Sequence, residues 1–134
     1  MKRLIVDLDD TISVTIGGAY AAAEVNILVR DRLHEYRARG FEIVIHSARN
    51  MRTHGANLGK INAKTLPVII QWLDEMGVPY DEIIVGKPWC GFEGFYVDDK
   101  AVRPDEFITN SYDELTEMLA AAKRRLEALE AGTE

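Results

Sequence analysis

Four short apolar runs, each followed at once by a polar residue able to do chemistry, set what this chain can fold into. Leu4-Ile5-Val6 continuing to Leu8 is the first, and Glu42 to His46, Ile83-Ile84-Val85 and Gly94 to Val97 follow it. Runs this short, with β-branched members, predict buried strands. Between them the spacing changes. Val25, Leu28, Val29, Leu33 and Tyr36 recur at helical intervals, with Gly40 placed as the residue that ends the helix. Leu66, Ile69, Ile70 and Leu73 predict an amphipathic helix stopped by Gly77 and Pro79. Ser111 and Glu114 make a capping box ahead of a long final helix closed by Gly132. Strands alternating with helices imply crossovers, so the expected fold class is α/β: a three-layer, Rossmann-like parallel sheet with helices on both faces. No repeat or linker divides the 134 residues, and one domain over 1–134 is expected.

Other segments are smaller in scale. Ile12, Val14 and Ile16 alternate with Ser13 and Thr15 ahead of Gly17-Gly18, which predicts a small hairpin or flap. Residues 47–64 read as a long polar loop, a length that compact domains usually reserve for function. Leu115, Leu119, Ala122, Leu126 and Leu129 form a coiled-coil-like stripe on the last helix. The stripe packs on its own sheet or joins copies into a homo-oligomer.

Charge narrows the function. A net charge of −6 argues against a broad nucleic-acid face, which needs a basic surface. No apolar run reaches the roughly 20 residues of a membrane helix, so no membrane partner is expected. Cys90 is the sole cysteine, which points to a cytoplasmic setting. Between Glu42 and Asp74 there is no acidic residue, while Arg49, Arg52, Lys60 and Lys64 all lie there. In an acidic protein, such a basic stretch suggests a local anion site, although a solvated loop would look the same.

The chemistry sits at the strand ends. In an extended Asp7-Leu8-Asp9 segment both carboxylates leave on one side, because side chains alternate with period two. Two such carboxylates repel unless a cation or proton intervenes, and magnesium suits hard oxygen ligands. Ser47 after the second strand could bind a phosphate oxygen. Lys87 after the third could neutralise a phosphate or a carboxylate. Asp98-Asp99 after the fourth adds anionic oxygen. Open parallel sheets bind ligands at this edge.

In these residues the chain resembles the haloacid dehalogenase (HAD) superfamily of phosphatases, whose motifs match Asp7-Leu8-Asp9-Asp10-Thr11, Ser47, Lys87 and Asp98-Asp99. It is more closely similar to the small capless members associated with capsule or polysaccharide biosynthesis, through Ser47-Ala48-Arg49-Asn50-Met51-Arg52, Gly59-Lys60-Ile61-Asn62, Gly86-Lys87-Pro88-Trp89-Cys90-Gly91 and Arg103-Pro104-Asp105-Glu106-Phe107. The resemblance implies Mg2+-dependent hydrolysis of a phosphomonoester through an aspartyl-phosphate. It makes Asp7 the nucleophile and Asp9 the acid–base residue. It puts Ser47, Lys87 and Thr11 on the phosphoryl oxygens. The metal would take Asp7, the Asp9 carbonyl, and Asp98 or Asp99, with Asp99 favoured.

No cap domain fits between these motifs, so the site is expected to be open unless the flap or another subunit covers it. Specificity then falls to Arg49, Arg52, Lys60 and Lys64 as substrate-binding candidates, with Trp89 and Tyr20 as stacking surfaces. His46, inside a strand, reads as a packed residue. The implied substrate is a small phosphorylated metabolite such as a sugar phosphate. Protein or nucleic-acid-end phosphatases share the chemistry. A phosphoaspartate receiver domain shares the paired carboxylates, hydroxyl and lysine, and differs in labelling itself without turnover.

Overall fold

The computed structural model describes residues 1–16 and 19–132, with the side chains of residues 16–22 outside that description. The turn expected at Gly17-Gly18 and the Tyr20 side chain therefore fall outside the described residues. Along the chain run β1 (Arg3–Asp7), β2 (Ser13–Ile16), β3 (Ala19–Val25), α1 (Ile27–Ala38), β4 (Glu42–Ser47), α2 (Leu58–Lys64), α3 (Leu66–Glu75), β5 (Glu82–Val85), α4 (Pro104–Thr109) and α5 (Tyr112–Gly132). They fall into two compact units, Met1–Trp89 and Cys90–Glu134.

In the first unit β1, β4 and β5 form a parallel sheet in the order β1-β4-β5. The central position of β4 follows from its sequence. Ile43, Val44 and Ile45 are successive and all fully buried, so both faces of that strand are covered, as parallel strands require. Each such side chain contributes about 1.5–3 kcal/mol through its removal from water. Val29, Leu33 and Tyr36 of α1 and Ile69, Trp72 and Leu73 of α3 complete this core.

Local chemistry sets the ends of α1. The Asn26 side chain accepts the Val29 N–H at 3.2 Å, so Val25 closes β3 instead of opening the helix. At the other end Gly40 takes φ +90°, the Gly40 N–H reaches Arg37 O at 3.0 Å, and the Phe41 N–H reaches Tyr36 O at 3.1 Å. This is a Schellman stop. The Tyr36 and Phe41 rings meet edge to face with centroids 5.2 Å apart, which fixes the entry into β4. The expected hairpin is present as antiparallel β2 and β3 with a register shift between Val14 and Ile16.

β1 and β5, expected as buried strands, flank the sheet with Ile5 55% and Ile84 44% exposed, and two further segments depart from the sequence reading. The stretch 47–64 is not loop throughout: Asn57 caps the Lys60 N–H at 3.1 Å and α2 follows, anchored by fully buried Ile61. A helix of two turns carries too few apolar positions to declare its period. Second, Gly94 to Val97 forms no strand among the described residues. The chain turns at 91–93 and sets Gly94 against the Cys90 carbonyl, while Phe95 and Val97 stay 80% and 89% exposed. An apolar run becomes a strand only when a neighbouring ladder takes its backbone groups.

In the second unit the capping box is formed as expected, Ser111 N–H to Glu114 Oε1 at 3.0 Å and Glu114 N–H to Ser111 Oγ at 3.2 Å. These bonds hold the Glu114 carboxyl below its ordinary range. Leu115 is buried while Leu126 and Leu129 are exposed. No helix among the described residues is long and apolar enough to cross a membrane.

Gly86, directly after β5, has φ +84°, and a Cβ there would run into the Leu58 side chain of α2. Gly86→Ala is expected to cost roughly 2 kcal/mol, combining backbone strain with displacement of Leu58. Urea unfolding of the two proteins measures this directly, and equal midpoints would contradict it.

Candidate active site

The parallel register brings three strand ends to one edge. Asp7 lies opposite His46, Ser47 lies opposite Val85, and the Lys87 N–H continues the ladder to Ser47 O at 3.1 Å. Asp7 and Lys87 come from the outer strands, and Lys87 Nζ reaches over the central strand to donate to Asp7 Oδ1 at 3.2 Å. The second oxygen, Oδ2, accepts from Thr11 Oγ1 at 3.0 Å. The Asp7 side chain remains 37% exposed, which leaves its outward face open to an incoming group.

The turn after β1 is built on one carbonyl. Leu8 O accepts from the N–H groups of Thr11, Ile12 and Ser13 at 3.3, 2.9 and 3.0 Å, and Asp10 takes φ +61°, a conformation aspartate tolerates better than most residues. Leu8 and Ile12 are fully buried beneath this turn. That packing brings Thr11 back onto Asp7.

Asp9 is held from another direction. The Arg49 guanidinium donates to both of its oxygens, Nη2 to Oδ1 at 2.6 Å and Nε to Oδ2 at 3.2 Å. Ser13 Oγ lies 3.4 Å from Oδ1. Arg49 is only 4% exposed, so it departs from the solvent-facing substrate contact expected of it. Buried Arg pairs with carboxylate because its rigid fork matches both oxygens.

Ser47 is buried and its Oγ accepts the Arg49 N–H at 3.0 Å. Its own O–H is thereby kept as a donor. Ser13 and Thr65 are site-supporting residues that the sequence reading missed. Thr65 Oγ1 donates to Asn50 Oδ1 at 2.8 Å, which ties the loop after β4 to the start of α3. Thr65 belongs to no periodic pattern and Ser13 stands on the polar side of an alternation, so the burial of either is seen only in the structure.

The remaining candidates divide. Arg52 lies over the half-exposed Trp89 ring at 6.0 Å, a cation–π pair joining the loop after β4 to the segment after Lys87. Lys60 and Lys64 are exposed on α2, and no described contact joins their side chains to the site. Asp98 and Asp99 belong to the second unit, where Asp98 Oδ1 accepts the Lys100 N–H at 2.9 Å. Among the described residues no three acidic, histidine or cysteine side chains gather as a metal-binding group.

His46 lies half-buried in β4. Burial, then the Lys87 charge, pushes its imidazole below the ordinary 6.5, against a smaller upward pull from Asp7. Below pH 6.5 the unfolded chain therefore binds a proton that the folded chain resists. Stability contributed by neutral His46 is complete above that pH and falls as pH drops toward the lowered value. His46→Gln is expected to flatten this dependence. Urea unfolding at pH about 7.5 and about 5.5 compares the two slopes, and equal slopes would count against it.

No protein-family model matches the chain, and no curated protein matches it. Among solved structures it is similar to the crystal structure of a structural-genomics target from Vibrio cholerae, at 52% identity and a TM-score of 0.89, over 90% of this chain and 98% of that one.

Proposed function

The chain belongs to one family with that Vibrio cholerae protein, and from the residues of its own strand-end edge we propose magnesium-dependent hydrolysis of a small phosphomonoester through an aspartyl-phosphate on Asp7, in a capless HAD-type, Rossmann-like fold. The observation that carries this reading is the meeting of Asp7, Thr11 and Lys87 at the edge where Ser47 also ends its strand. A cation beside an exposed carboxylate, with hydroxyl donors around it, suits phosphoryl transfer. There positioning and charge neutralisation supply most of the acceleration.

Asp7 attacks phosphorus in line, forming an Oδ–P bond as the ester P–O bond breaks. The Asp9 carboxyl gives its proton to the departing oxygen. Asp9, now a carboxylate, takes a proton from water as that water attacks the phosphorus and breaks the Oδ–P bond. Asp7 is thereby regenerated and phosphate leaves. Lys87 and the Ser47 hydroxyl hold the equatorial oxygens, and Thr11 orients Asp7.

The donors in the first unit fit magnesium, which is commonly held by one or two carboxylates with phosphate and water making up the rest. Asp7 offers an accessible carboxylate and Asp9 a main-chain carbonyl. When bound, the ion would neutralise charge on the nucleophile and the phosphoryl group. The Arg52–Trp89 pair is the proposed contact for the rest of the substrate, an apolar ring face beside a cation, which suits a phosphorylated sugar.

The test is phosphate release from 4-nitrophenyl phosphate and from a panel of sugar phosphates, with and without magnesium. Catalytic release that requires the ion supports the reading. Stoichiometric self-labelling without turnover would replace it with a receiver-like switch.

A further inference from the structure

Resting on the hydrolase reading, we infer that Arg49 is the positioning residue of Asp9: its fork fixes the plane of that carboxyl and leaves Oδ2 as the oxygen that carries the proton. A carboxylate has about four acceptor positions. On Asp9 the Arg49 fork takes one position at each oxygen, and the Ser13 hydroxyl, 3.4 Å from both Oδ1 and the Leu8 carbonyl, crowds Oδ1 as well. Oδ2 is the less crowded oxygen, and the Asp9 side chain keeps 22% of its surface open for it to meet a substrate oxygen or a water.

Arg49 can do this because it is itself immobilised. Its side chain is 2% exposed, and its backbone N–H is bonded to Ser47 Oγ just beyond β4. The pair thus ties the turn after β1 to the exit of β4, segments 40 residues apart in the chain. Such burial does not suit direct contact with substrate, whereas a two-point bond to a carboxylate suits orientation. In both half-reactions the proton moves between Oδ2 and an oxygen, the departing ester oxygen first and the attacking water second.

The experiment compares Arg49→Ala, Arg49→Lys, Asp9→Asn and Asp9→Asn combined with Arg49→Lys. Steady-state turnover of 2-phenylethyl phosphate, whose leaving group needs a proton, is set beside the burst of 4-nitrophenolate, which needs little. Both Arg49 variants are expected to lose about 10²-fold in kcat on the alkyl ester. KM and the burst amplitude should stay within about threefold. Lysine should not rescue, because it supplies charge without the fork. Added to Asp9→Asn, the Arg49 change should cost no more than about threefold.

A raised KM with unchanged kcat would make Arg49 a substrate contact and overturn the inference. Parent kcat in Arg49→Lys would do the same, as would a full additional loss on the Asp9→Asn background. Should Arg49→Ala fail to fold, Arg49→Lys decides, since it retains the buried charge. A misfolded lysine variant would make the pair purely architectural and also end the inference. The two failures are distinguishable: a parent protein without turnover sinks the hydrolase reading. A parent that turns over, depends on Asp7 and tolerates Arg49→Lys sinks only this one.

Discussion

Asp7→Asn is expected to lower turnover by about 10⁴-fold or more without unfolding the protein. The loss is large because the amide cannot form the acyl-phosphate through which the whole reaction passes. The fold survives because asparagine has the same shape and Asp7 is 37% exposed, so its bonds to Thr11 and Lys87 are partly screened by water. Their weakening should cost about 1 kcal/mol or less. Single-turnover labelling with phosphate ester, followed by release with hydroxylamine, locates the intermediate in the parent protein. Parent-level turnover in the variant would rule out covalent catalysis by Asp7.

Lys87→Met should reduce the rate of phospho-enzyme formation by roughly 10²–10³-fold, the usual cost of removing one preorganised group from a developing anion. Methionine keeps the length and apolar stem of the side chain and removes only the charge. The segment itself stays in register through the Lys87 N–H bond to Ser47 O, which the substitution does not touch. Lys87→Arg should recover only part of the rate, since a broad fork cannot occupy the place of a compact ammonium 3.2 Å from Asp7. Rapid-quench measurement separates this step from later ones. An unchanged rate in Lys87→Met would remove the lysine from the mechanism.

The legible parts of this chain are those where one physical rule dominates. β4 could be read because burial on both faces demands consecutive apolar residues, and Ile43-Val44-Ile45 supplies them. Asp7, Ser47 and Lys87 could be placed because strand ends in a parallel sheet share an edge. Gly94 to Val97 misled because composition records what a strand could bury and says nothing of which neighbour will pair with it. Arg49 misled differently. An arginine in an acid-free stretch looks like a contact for solvent or substrate, and its carboxylate partner lies 40 residues away with no periodicity to connect them. α2 hid behind its length, since Leu58 and Ile61 alone cannot distinguish a short helix from a loop.

The only two tryptophans occupy contrasting surroundings. Trp72 is buried on α3, and its indole N–H donates 3.0 Å to the Ala23 carbonyl of β3, whereas Trp89 is 40% exposed. Its hydrogen bond pins the base of the hairpin to the helix core. Intrinsic fluorescence is therefore divided between a shielded, blue-shifted emitter that follows the seating of the hairpin and a water-facing one that follows the rim, and a polar quencher separates them by reaching the second far more readily.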